Sequence, residues 1–189
     1  MGVDRGEVYP GADDNGSGTC GVLEIAEALG ELQKLGIKPK RSVLIAFWGS
    51  EELGLLGSRY FVEHLPSEMD ANKIVLVINL DMIGRNELKK ISIGTEKSKN
   101  SADLLTEMNK NIGFDISYFD IFFNEFGDSD HSSFYEINSA ISILCFTSGL
   151  HDDYHEPSDT WDKINYEKVR DVARLAFLVS WYWADVEKK

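Results

Sequence analysis

Four separate connections of this chain carry side chains able to act on a metal or a proton. Asp13 and Asp14 lie in "GADDNGSG" (11–18), just ahead of an apolar helical pattern. Glu51 and Glu52 follow the apolar run "RSVLIAFW" (41–48). Asp81 closes "KIVLVINL" (73–80), and His155 lies in the polar loop "LHDDYHEPSDTWDKIN" (150–165). Each has an ordinary reading. An Asp before a helix is commonly a cap or turn residue. A Glu pair opening a helix suits the helix dipole, and a lone loop histidine is more often not a ligand. Asp81 is harder to set aside, because a carboxylate closing an apolar strand is costly to bury without a partner. Taken together, a mixed Asp/Glu/His set suits zinc or another borderline divalent ion, whereas an all-oxygen set would suit magnesium or calcium. A catalytic zinc keeps three protein ligands and one open position. Adjacent glutamates then divide the work: one binds the metal, and the other takes a proton from water.

These residues need a frame. The spacing of Val22, Ile25, Ala26, Leu29 and Leu32 predicts a helix over 18–35, with Ser17 as its cap. Residues 41–48, 73–84, 89–95 and 139–149 read as buried strands. Residues 50–65, 101–113, 130–138 and 166–186 read as helices, and 114–127 stay unassigned. Apolar strands alternating with helices predict an α/β fold, a sheet covered on both faces. In such sheets ligands gather at the carboxyl ends of the strands, which is where all four connections fall.

Bulk properties narrow the function. The 189 residues are enough for one domain with a full core. With 19 Lys and Arg against 32 Asp and Glu, the net charge of −13 argues against nucleic acid and anionic membranes as partners. No apolar run is long enough to span a membrane. Cys20 and Cys145 form neither a zinc pattern nor a disulfide framework, and both are expected to be buried free thiols.

Five blocks, in order, resemble one family: "GADDNGSG" (11–18), "AFWGSEELGLLGS" (46–58), "INLDMIG" (78–84), "SDHSSF" (129–134) and "DYHEPSDT" (153–160). They are similar to the co-catalytic two-zinc aminopeptidases of the bacterial leucyl-aminopeptidase type, whose relatives include glutamate carboxypeptidase and the glutaminyl cyclases. The resemblance implies a three-layer αβα fold with a mainly parallel mixed sheet, of the zinc-exopeptidase (phosphorylase/hydrolase-like) kind. It implies that Asp14 bridges two zinc ions, that Glu52 and His155 complete one site, and that Asp81 serves the other. Glu51 would be the general base, and Tyr154 would place a hydroxyl near the developing oxyanion. Asp130, His131 and Asp159 would shape the pocket or orient ligands, while Asp13, His151 and His64 would be structural. The implied substrate is a peptide with a free amino terminus, its ammonium anchored by acidic groups. Family habit implies a periplasmic or secreted protein.

The chain departs from the family in one respect. The family carries a further histidine ligand, in an "HxD" pair on a strand before the first block, yet only "MGVDRGEVYP" precedes it here. The expectation is a single catalytic domain over 1–189 lacking its N-terminal strands, as a fragment or an internal start, with a naturally shortened relative as the alternative. Asp14, Glu52 and His155 should then hold one zinc well, while the Asp14–Asp81 site holds a second weakly. The missing strands predict an exposed sheet edge or apolar patch, and hence a homodimer through that edge or poor solubility. Two other functions compete: a glutaminyl-cyclase-like acyltransferase, and a non-catalytic protease-like binding domain. "GADDNGSG" and the Glu pair favour the peptidase. The aromatic stretch "FDISYFDIFFNEF" (114–126) is open between a pocket wall and core.

Overall fold

The computed structural model describes residues 2–4, 6–95, 99–121 and 128–186. A short hairpin opens the chain, with β1 (Gly2–Asp4) antiparallel to β2 (Glu7–Tyr9). Sequence patterning had not marked it, and Val3 and Val8 point to solvent. A four-stranded sheet follows, in the order β3 (Leu76–Leu80), β6 (Ser142–Thr147), β4 (Lys90–Thr95), β5 (Asp115–Asp120). β3 runs parallel to β6, β4 parallel to β5, and β4 antiparallel to β6. The expected mainly parallel mixed sheet is therefore present, and part of the unassigned stretch supplies its edge strand β5.

Alternation along the strands builds three layers. Leu80, Ile91, Ile93, Leu144 and Phe146 point to one face. There they pack against α1 (Gly18–Lys34), α3 (Lys99–Asn109) and α5 (Tyr166–Asp185). Val77 and Ile143 point to the other face, with α2 (Leu56–Glu63) and α4 (His131–Ile137). α1 ends as its sequence predicts: Gly36 takes φ 77°, and Ile37 N–H donates to Leu32 O at 2.9 Å. Asn165 caps α5, its side chain accepting from Lys168 N.

Three expectations are corrected. Ser17 does not cap α1. It has helical backbone angles, and Asn15 Oδ1 accepts from Gly18 N at 3.0 Å instead. The helix expected over 50–65 breaks into a turn at 51–53 followed by α2, because Ser50, Gly54 and Leu55 all adopt positive φ. Cys20 is exposed, while Cys145 is buried as expected.

The strand expected at 41–48 does not form: the segment has no regular secondary structure and joins no ladder among the described residues. It is tied to the fold by Arg41, whose N–H donates to Ala184 O at 2.8 Å, and by Ile45 and Trp48, which pack against the two core clusters. Between this segment and the free edge of β3 lies a slot of about 1480 Å³, lined by Val43–Trp48 and Ile74–Leu80. An apolar run becomes a buried strand only when a neighbour covers it. Without one, Val43, Leu44 and Phe47 stay exposed.

Candidate metal centre

The loop 11–18 is tied along its length to the segment 80–84. Asp13 is fully buried, and its Oδ1 accepts from Gly84 N at 2.6 Å. Ser17 Oγ donates to Asp13 O and accepts from Ile83 N. Asn15 spans Asp81 from both sides: its Nδ2 donates to Leu80 O at 2.9 Å, and its Oδ1 accepts from Met82 N at 3.3 Å. The contact is so close that a Cβ on Gly18 would sit 2.1 Å from Leu80 O. These bonds set Asp14 beside the end of β3, where Asp81 leaves the sheet with its N–H donating to Phe146 O.

Glu51 and Glu52 arrive on a tight turn. Gly57 N donates to Gly49 O at 3.0 Å, and a Cβ on Gly57 would lie 2.6 Å from that oxygen, so only glycine permits this approach. His155 comes from the loop after β6, at φ 58° and stacked on Tyr154 with ring centroids 3.7 Å apart. The open ends of the parallel strands thus carry the group, as the strand-end rule requires.

Asp14, Glu52 and His155 converge. Their candidate ligand atoms all lie within 4.8 Å of one another. His155 Nε2 is 3.1 Å from Asp14 Oδ2 and 3.0 Å from Glu52 Oε1. One imidazole nitrogen has at most one proton, so it cannot satisfy two carboxylates equally. Zinc–ligand bonds of about 2.0–2.1 Å in a tetrahedron place neighbouring ligand atoms about 3.3 Å apart, close to the separations seen. Asp14 Oδ2 is buried with no hydrogen-bond partner. The donor set and the orphaned oxygen both fit a zinc ion. Asp81 is not part of this trio. Its Oδ2 accepts from Ser129 Oγ at 2.6 Å, and Asn79 Nδ2 donates to that hydroxyl in turn. It does face the same small cavity, of about 50 Å³, together with Asp14, Glu51, Glu52 and Tyr154.

The electrostatics ask for a cation. Burial, then the charges of Asp81, Glu52 and Glu51, pushes Asp14 up to about 8. Burial, then Asp81 and Glu52, pushes Glu51 up to about 7. Asp81 is raised as well, chiefly by burial. The Tyr154 hydroxyl is pushed up to about 12 by burial and the same carboxylates, so it stays a donor.

This predicts a pH dependence. Unfolded carboxylates lose their protons near pH 4, whereas Asp14 and Glu51 hold theirs to about 8 and 7 in the metal-free chain. The folded state then carries the extra protons, so stability falls as pH rises through that window. Buried His131, lowered to about 4, acts in the opposite sense, but only below its unfolded value near 6.5. Urea unfolding in chelator should therefore show a loss of stability from pH 6.5 to 8, at most about 1.4 kcal/mol per pH unit for each titrating group. Saturating zinc, which requires deprotonated ligands, should reverse the slope.

The remaining candidates take definite places. His131 is buried in the cavity wall with neither ring nitrogen hydrogen-bonded. Asp130 is buried at the start of α4. His151 Nε2 lies 3.3 Å from Asp13 Oδ2, and His64 stacks on Tyr60. Of the aromatic stretch, Phe119 lines the cavity and Phe114 is core, while residues 122–126 lie outside the described residues. Asn15, Ser129 and Arg85 had not been singled out. Only Asn15 carried a signal, its place beside Asp14.

Comparison with known proteins identifies the family. The aminopeptidase YwaD of Bacillus subtilis (strain 168) is 33% identical over 184 residues, 95% of this chain and 39% of its own length. The zinc aminopeptidase BSAP from Bacillus subtilis superposes with a TM-score of 0.78 at 28% identity, over 96% of this chain and 44% of that one. The aminopeptidase from Aneurinibacillus sp. strain AM-1 gives a TM-score of 0.78 at 26% identity, over 99% of this chain and 42% of that one. The chain thus spans about two-fifths of the length of the relatives it matches. Residues 3–180 match the family model described as peptidase family M28. With its carboxylates and histidine gathered at the strand ends of the same fold, the chain belongs to peptidase family M28.

Proposed function

We propose that this chain carries the metal-binding and proton-transfer groups of a zinc-dependent aminopeptidase, which hydrolyses the first peptide bond of a substrate with a free amino terminus. The observation that carries this reading is the convergence of Asp14, Glu52 and His155 with Glu51 alongside. A zinc ion held by those three residues supplies Lewis acidity, polarising a carbonyl and making water a stronger acid. Glu51, adjacent to Glu52 and lining the same cavity, takes the proton of the attacking water and returns it to the leaving amine. Tyr154, kept protonated, donates to the oxygen on which negative charge develops. The surplus of carboxylates around the cavity attracts the substrate's ammonium group. Asp14 and Asp81 would hold a second zinc more weakly, since Asp81 already accepts from Ser129 and stands outside the convergent trio. We extend the proposal in two ways: the free edge of β3 favours pairing between two copies, and export from the cell follows family habit.

The test is release of nitroaniline from aminoacyl-nitroanilides by the zinc-loaded chain. The expected result is release that stops with chelator and is absent from N-acetylated substrates. No chelator-sensitive release from any substrate would favour a binding role.

A further inference from the structure

The loop carrying His155 is fastened at both sides of the histidine. Two residues before it, Asp153 accepts from Arg85 Nη2 at 2.6 Å and also from Ser158 and Lys163. Four residues after it, Asp159 is 1% exposed and turns its carboxylate onto the other ligand loop. Asp13 N donates to Asp159 Oδ1 at 3.1 Å and to Oδ2 at 3.0 Å, and Asp14 N donates to Oδ2 at 3.1 Å. The backbone adds one more tie, Ala12 N to Asp159 O at 3.1 Å. Arg85 backs the arrangement, with Nη1 3.7 Å from Asp159 Oδ1. His155 sits between these anchors in a left-handed conformation, which a non-glycine residue holds only when its surroundings impose it.

We infer that Asp159 is a positioning residue for the metal centre, acting through the backbone amides of Asp13 and Asp14 to set the separation of Asp14 from His155. This rests on the reading of Asp14, Glu52 and His155 as zinc ligands. The Asp159 carboxylate accepts from the main chain of one ligand loop while belonging to the other, so it sets the distance between the two loops together with the Ala12–Asp159 backbone bond and the His151–Asp13 contact.

The test is the zinc dissociation constant of the whole chain, by competition with a chromophoric chelator, alongside the melting temperature of the metal-free protein. Asp159→Ala should weaken zinc 10–100-fold, the range for partners that orient ligands. Asp159→Asn keeps one acceptor oxygen and should fall between Ala and wild type. Asp171→Ala is the control. Asp171 is another buried carboxylate, paired with Lys89 and Arg170 on α5, and its loss should lower the melting temperature without moving zinc affinity. A folded Asp159→Ala chain binding zinc within about twofold of wild type would overturn the proposal. If the alanine variant does not fold, the asparagine variant decides: weakened zinc supports the proposal, and unchanged zinc overturns it. A wild-type chain that binds no zinc would overturn the ligand reading together with this proposal. Wild-type binding with unaltered variants would overturn this proposal alone.

Discussion

Asp14→Asn should weaken zinc binding by more than 100-fold, while leaving the metal-free chain as stable as wild type or more so near pH 8. The size follows from what Asp14 does in the trio. Its Oδ2 approaches His155 Nε2 at 3.1 Å, is buried, and has no hydrogen-bond donor. Losing a direct ligand must exceed the roughly 10–100-fold cost of losing a group that only orients one. The direction of the stability effect follows from charge. Asp14 is held near 8 by burial and by Asp81, Glu52 and Glu51, so ionising it without a cation costs stability. An amide of the same shape has no such cost and keeps the backbone contacts with Asp159. Competitive zinc titration and urea unfolding measure the two halves. A change in zinc affinity of threefold or less would remove Asp14 from the ligand set.

Glu51→Gln should do the reverse: zinc affinity within a few-fold of wild type, and hydrolysis reduced by about 10²–10⁴, the usual contribution of a general base. Glu51 and Glu52 are neighbours on the turn 51–53, yet only Glu52 reaches the trio. Glu51 lines the cavity with Asp14, Asp81 and Tyr154 but stands outside the trio, where its carboxylate can take and give a proton. Glutamine fills the same space and removes the charge and the proton-accepting oxygen. Nitroanilide release by the zinc-loaded variant measures the effect. Equal rates would assign proton transfer elsewhere, and loss of zinc would make Glu51 a ligand.

The parts legible in the sequence were those dictated by local pattern. Ile78, Leu80 and Leu144 mark buried strands by composition, so the residues just beyond their strands, Asp81 and the loop to His155, were bound to meet at one sheet edge. Distances were not legible. Nothing in the residue types says that Asn15 spans Leu80 and Met82, that Ser129 holds Asp81, or that Arg85 fastens the loop carrying His155. These contacts join positions far apart in the chain, and only the fold brings them together. Local pattern also misled. Residues 41–48 carry the composition of a buried strand, but a strand is a property of a pair, and among the described residues no strand pairs with this segment. Residues 50–65 have helical spacing, but positive φ at Ser50, Gly54 and Leu55 spends the first turn on aiming the glutamates. Ser17 resembles a cap by type and position, yet its hydroxyl is taken by Asp13 O and Ile83 N.

The central claim is that Asp14, Glu52 and His155 form a zinc site in this chain as it stands. Equilibrium zinc titration of the metal-free wild-type chain, read as zinc bound per chain, tests it most directly. The account predicts one tightly bound equivalent that Asp14→Asn abolishes, with any second equivalent clearly weaker. No tight binding, or two equal tight sites, would contradict it.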